Sequence, residues 1–206
     1  ESNKATLELA KKYKIVKAAL GLYPSDALKT NVKKALNFIQ ENKSKIIAIG
    51  EVGIDFFHIK DAKEQARECE IFKQVIKLAN SINKPLIVHS RAAKSKVLEL
   101  LEAAKVPVVL HFYCGKAEDT KIAIERGYYF SIPTLIVKSK TFKKLAKRVP
   151  LDRILTETDA GALRWEGGRN EPANVRFSIK KLAEVKGVSA KEVEAQIWKN
   201  YKRIFK

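Results

Sequence analysis

The sequence is short of the residues that mark secreted, thiol-dependent and membrane-spanning proteins. Its two cysteines, Cys69 and Cys114, lie far apart with no C-x-x-C spacing, so neither a disulfide framework nor a thiolate zinc site is indicated. No apolar run approaches the roughly 20 residues that a transmembrane helix needs, and residues 1–14 lack the apolar core of a signal peptide. These absences predict a protein of a reducing compartment, cytoplasmic and without a membrane partner.

Acidic residues are few beside basic ones. Asp and Glu number 23 against 41 Lys and Arg, which gives the 206 residues a formal charge of +18. A surplus of this size raises the local concentration of polyanions by long-range attraction, which makes nucleic acid the leading class of partner. A lysine-rich set of outer helices that only solvates the domain explains the charge equally well, so charge by itself does not decide the function.

Six short runs rich in β-branched and aromatic residues recur along the chain and predict strands. Helical patterns lie between them, and such alternation is typical of parallel strand pairing. Capping boxes begin two of the helices, at Asp61 with Glu64 and at Ser189 with Glu192. The predicted strands cover residues 15–22, 46–54, 85–90, 108–113, 128–134 and 154–159.

Two architectures accommodate six strands. An open doubly wound sheet does so, but its Gly-rich phosphate turn is missing here, and the candidate active residues follow four different strands. We therefore predict an α/β protein with a (β/α)8 TIM-type barrel that lacks the first two βα units, as one domain over residues 1–206. The chain has no methionine and opens inside a helical pattern, which agrees with an N-terminally incomplete domain.

Residues that bind metals stand at the C-terminal ends of four predicted strands. They are Glu51, His89, His111 and Asp159. In a parallel barrel these strand ends share one face, so two imidazoles and two carboxylates are expected to meet there. This donor set suits divalent ions, and a carboxylate that bridges two ions allows them to act on the attacking and leaving oxygens of a displacement.

Each of these residues has a plainer explanation when it is taken singly. A histidine at a strand end is more often a hydrogen-bonded rim residue than a ligand. Four such positions in register favour a site, because buried carboxylates and imidazoles are costly unless they are paired or bind metal. The third histidine, His58, follows the Glu51 strand and is interpreted as a loop residue with a weak claim on substrate.

Five segments resemble the TatD-like deoxyribonucleases of the metal-dependent amidohydrolase superfamily, and the resemblance covers essentially the whole chain. It implies a barrel hydrolase that cleaves phosphodiester bonds of DNA with a metal-activated water. The matching segments are residues 49–55 (IGEVGID), 85–91 (PLIVHSR), 111–115 (HFYCG), 157–160 (ETDA) and 169–174 (RNEPAN).

The resemblance also implies the metal ligands. Glu51 would bridge two divalent ions, and His89 and His111 would bind one of them. Asp159 would be the last ligand or the acceptor of the proton of the attacking water, so that Glu51 and Asp159 are the expected catalytic residues. Mg²⁺ or Mn²⁺ is expected, with Zn²⁺ as an alternative, and two ions are expected in the complete protein.

Other matched residues are expected around the metals or on the substrate. Asp55, Glu157 and Arg91 would support the ligands or face phosphate, and residues 169–174 would close the site and begin a helix. The predicted substrate-binding residues are Arg91, Tyr23, Trp165 and Arg169.

Two departures from the family pattern bear on activity. The family's first strand carries a His-x-His pair that completes the second metal position, and no such pair occurs in this sequence. Tyr23 stands where many members have a histidine, and Tyr113 and Cys114 replace the more usual Phe and Ser after His111.

Three functions remain open on this basis. The leading one is a two-metal phosphodiesterase that acts on DNA, single-stranded or at ends. The second keeps the metals but hydrolyses an amide or ester, including the aminoacyl ester of a tRNA. The third is a nucleic-acid-binding barrel that has lost catalysis. Tyr23, Tyr113 and Trp165 are candidates for stacking on a base, although ordinary packing is the favoured explanation for Tyr113.

Overall fold

The computed structural model describes residues 2–160 and 168–205. These residues form two compact units. The first extends to Val109 and includes Phe205, and the second runs from Leu110 to Ile204.

All six predicted strands are present. Most are shorter than the apolar runs that predicted them, because the runs continue into the segments that follow the strands. As a result, His111 and Asp159 lie just beyond the ends of their strands. The strands are Ala18–Leu20 (β1), Ile46–Asp55 (β2), Leu86–Arg91 (β3), Val108–Leu110 (β4), Tyr129–Ile132 (β5) and Ile154–Thr156 (β6).

Helices alternate with these strands, as the sequence predicts. The α-helices are Ser2–Lys12 (α1), Pro24–Ala27 (α2), Val32–Glu41 (α3), Ala62–Ile82 (α4), Lys94–Leu100 (α5), Ala117–Glu125 (α6), Lys140–Arg148 (α7), Val175–Lys186 (α8) and Ala190–Ile204 (α9). Short 3₁₀ turns cover Lys43–Lys45, Leu101–Ala103, Thr134–Val137, Leu151–Arg153 and Pro172–Asn174.

In the first unit, β2 is paired in parallel with both β1 and β3. The strand is buried along most of its length, which is typical of a parallel strand. Helix α4 packs against it. This helix begins at the N-cap Asp61, whose carboxylate accepts from the backbone N–H groups of Lys63 and Glu64, each at 2.9 Å. It ends at Asn83 in the left-handed conformation.

A bulge interrupts β2 at Gly50 and Glu51. Ile49 lies opposite Leu86 of β3, but Val52 lies opposite Val88, so β2 has one residue more than β3 over this interval. A bulge of this kind redirects a side chain and is common beside active sites. It changes the alternation of β2 four residues before the strand ends at the polar residue Asp55.

In the second unit, β5 and β6 are parallel neighbours. The predicted capping box of α9 is confirmed, because the Ser189 N–H donates to Glu192 Oε2 at 2.8 Å and the Glu192 N–H donates to Ser189 Oγ at 3.2 Å. Helix α9 packs against α8 and β6.

The apolar spacing of α9 predicts that Val193, Ile197, Tyr201 and Ile204 are buried. Val193 and Ile204 are, but Ile197 and Tyr201 are only half-buried, so that part of the prediction is wrong. The intervening buried position is taken by Asn200, whose Nδ2 donates to the carbonyls of Leu151 at 2.9 Å and Ile154 at 2.7 Å. Asn200 therefore attaches helix α9 to the segment that leads into β6. The backbone carbonyls there need a hydrogen-bond donor, which an apolar side chain could not supply.

Within residues 2–160 and 168–205, the helices are too short or too polar to cross a membrane.

The close approach of β2 to β3 gives a test of the fold. Gly53 has a φ of +145°, and a Cβ atom there would lie 2.0 Å from the His89 carbonyl oxygen. We expect Gly53→Ala to lower the free energy of unfolding by more than the ~1–2 kcal/mol that a left-handed backbone alone costs an L-residue. Gly127→Ala is the matched control, since Gly127 has a φ of +74° and nothing within 4 Å of the added Cβ. Urea denaturation of both variants measures the difference, and equal losses would contradict this account.

Candidate metal centre

Glu51 and His89 form a carboxylate–imidazole pair in the first unit. Glu51 belongs to the bulge of β2, and His89 lies in β3 opposite Gly53. His89 Nδ1 donates to Glu51 Oε1 at 2.7 Å. The His89 side chain is 15% exposed and the Glu51 side chain is 31% exposed. Imidazole nitrogens and carboxylate oxygens are ligands of divalent cations, so both side chains are of a kind that can bind a metal ion.

Asp55 ends β2 as a buried carboxylate. Its Oδ1 accepts from the backbone N–H groups of Phe57 at 2.9 Å and His58 at 3.1 Å. Its Oδ2 lies 2.6 Å from His58 Nδ1 and 3.3 Å from His89 Nε2. Burial acts to raise the pKa of Asp55, but the hydrogen bonds from His58 and the two imidazoles outweigh it, and the pKa is lowered. An ionised carboxylate therefore lies between two imidazoles.

The surroundings of His89 fit a bound cation. Because an ionised carboxylate only accepts, the hydrogen bond to Glu51 puts the ring proton on Nδ1 and leaves a lone pair on Nε2. That Nε2 atom is buried, has no hydrogen-bond partner, and faces Asp55 Oδ2. Two acceptor atoms at this distance need a positive charge beside them, which a second ring proton or a divalent metal ion supplies.

Glu68 adds a second buried carboxyl group next to Asp55. Its Oε1 accepts from the Asp55 backbone N–H at 3.0 Å, and its side chain lies inside the first unit. Burial raises the pKa of Glu68 to about 7, and the charge of Asp55 acts in the same direction, while the hydrogen bond from Asp55 opposes the shift. Glu68 therefore changes its charge near neutral pH.

The second unit contains a further carboxylate–imidazole pair. His111 directly follows β4, and its Nδ1 donates to Glu157 Oε2 at 2.7 Å. The Ser131 hydroxyl of β5 donates to the same oxygen, and Glu157 Oε1 is buried without a hydrogen-bond partner. Burial raises the pKa of Glu157, against the lowering effect of His111 and Ser131. Glu157 thus supports the imidazole that was predicted as a ligand.

Asp159 lies just past β6, half-buried and with a φ of +53°. The segment that contains it is tied to the 169–174 motif, because the buried Asn170 donates through Nδ2 to the Thr158 carbonyl. Asn174 Nδ2 in turn donates to Asn170 Oδ1 at 2.9 Å. The motif then enters α8 through the turn Pro172–Asn174.

The four predicted substrate-binding residues differ in their surroundings. The Tyr23 ring meets His89 edge-on, with 5.2 Å between ring centroids. Arg91 is exposed, and its guanidinium lies over the Phe57 ring at 4.0 Å. Arg169 is exposed, whereas Trp165 falls outside the described residues.

Tyr113, by contrast, is explained by packing. Its ring is buried and meets Phe130 edge-on at 5.5 Å. A Cβ atom on Gly115 would come within 2.1 Å of the Tyr113 hydroxyl. This ring is therefore enclosed within its own unit.

No group of three or more His, Cys, Asp or Glu side chains in residues 2–160 and 168–205 is arranged to hold a metal ion. The imidazoles instead make hydrogen bonds to carboxylates, Glu51 with His89 in the first unit and Glu157 with His111 in the second. The four-ligand set of Glu51, His89, His111 and Asp159 accordingly stays a prediction.

Three residues of these networks were not predicted from the sequence. Glu68 had a signal, since it stands four residues before Phe72 on the apolar stripe of α4, where a carboxylate is unexpected. Phe57 lies two residues after Asp55 in a loop. An aromatic residue in a loop is unusual, but it does not indicate any one function. Ser131 gave no signal, because serine is ordinary in a short strand.

Comparisons with known proteins agree with these features. The model of the family described as TatD-related DNase matches residues 1–206. A protein of Methanocaldococcus jannaschii named as an uncharacterized metal-dependent hydrolase is 38% identical over 203 residues, which cover 97% of this chain and 79% of that protein. The human deoxyribonuclease TATDN3 is 38% identical over 194 residues, covering 90% of this chain and 70% of that protein.

A solved structure has the same fold. The crystal structure of YJJV, a TatD homologue of Escherichia coli, matches with a TM-score of 0.87 and 27% sequence identity, over 98% of this chain and 81% of that one. The predicted class, an α/β protein of the TIM-barrel type, is confirmed by this similarity.

The raised pKa of Glu68 predicts how stability depends on pH. The folded-state pKa of about 7 lies above the ordinary glutamate value of 4.5, so the protein should lose stability as pH rises between those values. Glu68→Gln keeps the oxygen that accepts from Asp55 and removes the charge. Its free energy of unfolding should therefore exceed that of wild type by on the order of 3 kcal/mol at pH 8 and differ little from it at pH 4.

Denaturation at several pH values checks this expectation. Glu70→Gln is the control, since Glu70 is exposed on the same helix. A parallel pH dependence in wild type and Glu68→Gln would show that Glu68 does not titrate in this range.

Proposed function

Since this chain belongs to the TatD-related DNase family, we propose that it is a metal-dependent hydrolase that cleaves phosphodiester bonds of DNA. The observation that carries the proposal is the Glu51–His89 pair, with its buried Nε2 atom facing a carboxylate. The names of the relatives, metal-dependent hydrolase and deoxyribonuclease, support the same activity. One hydrolase domain over residues 1–206 is part of the proposal.

The proposed ligands of the metal are Glu51, His89, His111 and Asp159. A divalent ion supplies polarisation of a phosphoryl oxygen and activation of a water. Carboxylate oxygens suit Mg²⁺ or Mn²⁺, while the imidazoles also suit Zn²⁺. Two ions are proposed for the complete protein.

The residues of the chain have distinct tasks in this proposal. Glu157 accepts a hydrogen bond from His111 Nδ1 and so orients the imidazole that would bind the metal. Glu51 does the same for His89 and is also the proposed bridging carboxylate. Asp159 accepts the proton of the attacking water, a task that suits a half-buried carboxylate close to solvent.

Charge supports DNA as the substrate. The excess of Lys and Arg gives +18, which suits a phosphate backbone better than a small neutral amide. Arg91, Tyr23, Trp165 and Arg169 are the proposed substrate contacts, and single strands or ends are the proposed form of DNA. The two free cysteines support a cytoplasmic location.

Two substitutions separate the roles of the carboxylates. Glu51→Gln should lose bound metal and nuclease activity together, because an amide is a weaker ligand that carries no charge. Asp159→Asn keeps the shape and one oxygen but accepts no proton, so its rate should fall about 10²- to 10⁴-fold with metal content less affected. Metal stoichiometry and nucleotide release from single-stranded DNA are measured side by side.

Glu70→Gln provides the control for both variants, because it removes one exposed carboxylate from α4. Wild-type nuclease rates in both Glu51→Gln and Asp159→Asn with Mg²⁺ or Mn²⁺ present would contradict the assignment. If the protein binds metal and cleaves an aminoacyl ester or an amide but releases no nucleotides from DNA, it is a metal-dependent amide or ester hydrolase. Salt-dependent DNA binding without any hydrolysis would indicate a binding barrel.

Binding to DNA should be driven by the phosphate backbone. Neutralised phosphates release counterions, so the logarithm of the affinity should fall with the logarithm of salt concentration, by about 0.9 per phosphate contact on duplex and about 0.7 on single strands. Titrations at several salt concentrations give the slope. An affinity that does not change with salt would contradict a role for the +18 charge.

A further inference from the structure

An exposed aromatic ring lies in the loop that follows β2, with two cations near its face. Phe57 is 49% exposed. The Arg91 guanidinium lies 4.0 Å from the centre of its ring, and Lys60 Nζ lies at 5.1 Å. Together, Phe57, Arg91 and Lys60 form an aromatic and cationic cluster, referred to below as the Phe57 platform.

The platform is held in place by backbone hydrogen bonds. The Phe57 N–H donates to Asp55 Oδ1 at 2.9 Å, and the Phe56 N–H donates to the Arg91 carbonyl at 3.0 Å. Lys60 Nζ donates to the Phe56 carbonyl at 3.1 Å, which orders the second cation. The His58 ring stands edge-on to Phe57 with centroids 5.0 Å apart. The ring is thus exposed to solvent on a fixed loop.

The Asp55 carboxylate connects the Phe57 platform to His89, the candidate metal ligand. Asp55 accepts from Phe57 through Oδ1, and its Oδ2 lies 3.3 Å from His89 Nε2. A group stacked on the platform is therefore held at a set position relative to His89. That is what a substrate-positioning surface requires.

We propose that the Phe57 platform stacks an unpaired nucleobase of the substrate and so positions the nucleotide next to the Glu51–His89 pair. This inference rests on the proposed function. A base presents a flat π-face to the ring or the guanidinium plane, and its phosphate is attracted by Arg91 and Lys60. A small acyl or amide substrate offers neither an anionic group for the two cations nor a flat base for the ring. A phosphate alone would bind the cations but would not stack on the ring.

Fluorescence of 2-aminopurine tests the proposal, because stacking quenches it. Single-stranded oligonucleotides carry the probe at the 3′ or the 5′ end and phosphorothioate linkages that resist hydrolysis, with Mg²⁺ present. We expect wild type to quench one of the two probes. Phe57→Ala and Phe57→Leu should lose the quenching and bind about 5- to 100-fold more weakly, whereas Phe57→Trp should retain both.

Trp198→Leu is the matched control. Trp198 is 58% exposed on α9 and also has a cation over its ring, Lys202 at 5.5 Å, so it matches Phe57 in chemistry but belongs to the second unit. Its loss should leave quenching unchanged. Phe57→Leu keeps apolar bulk at the position, and circular dichroism of each variant checks that it is folded.

Three outcomes overturn the inference. They are no quenching by wild type, unchanged quenching in Phe57→Leu, or equal loss in Trp198→Leu. Release of nucleotides from unmodified DNA by wild type is measured separately. Hydrolysis without quenching rejects the platform and keeps the proposed function, whereas the absence of hydrolysis rejects the proposed function itself.

Discussion

Burying an ionised carboxylate is costly unless hydrogen bonds and positive charge compensate for it, and for Asp55 the compensation comes from the loop and the strand beside it. Two backbone N–H groups and the His58 ring satisfy its oxygens, and His89 approaches one of them. The conformation of the Phe57 loop and the environment of His89 are therefore set by one carboxylate. The position of the candidate ligand and the shape of the adjacent surface depend on it together.

The chain places its scarce acidic residues unevenly. Although Lys and Arg outnumber Asp and Glu by 41 to 23, carboxylates cluster around the imidazoles in both units. Glu51 and Asp55 lie next to His89, with Glu68 directly behind Asp55, and Glu157 lies next to His111. Local negative charge attracts a divalent cation, while the basic remainder of the molecule attracts phosphate. One sequence thereby meets two opposite electrostatic requirements.

Much of this architecture follows from the sequence, and the failures have identifiable causes. Periodicity predicted all six strands, and capping chemistry predicted the starts of α4 and α9, because these signals are local. Asn200 was missed since its burial depends on carbonyls far away in the chain. The same holds for Ser131, which meets Glu157 only in the fold. Strand-end residues were found individually, whereas their partners depend on register, and a bulge changes register without an obvious sequence signal.

The extra residue of β2 at Gly50 and Glu51 has an evolutionary consequence. Side chains alternate between faces along a strand, so the loss of one residue here would turn Val52 through Asp55 to the opposite face. Asp55 would then lose its contacts with His58 and His89, although no residue had been replaced. The site is thus encoded in the number of residues in β2 as well as in their identities. Relatives of this protein should tolerate substitutions along this strand more readily than insertions or deletions within it.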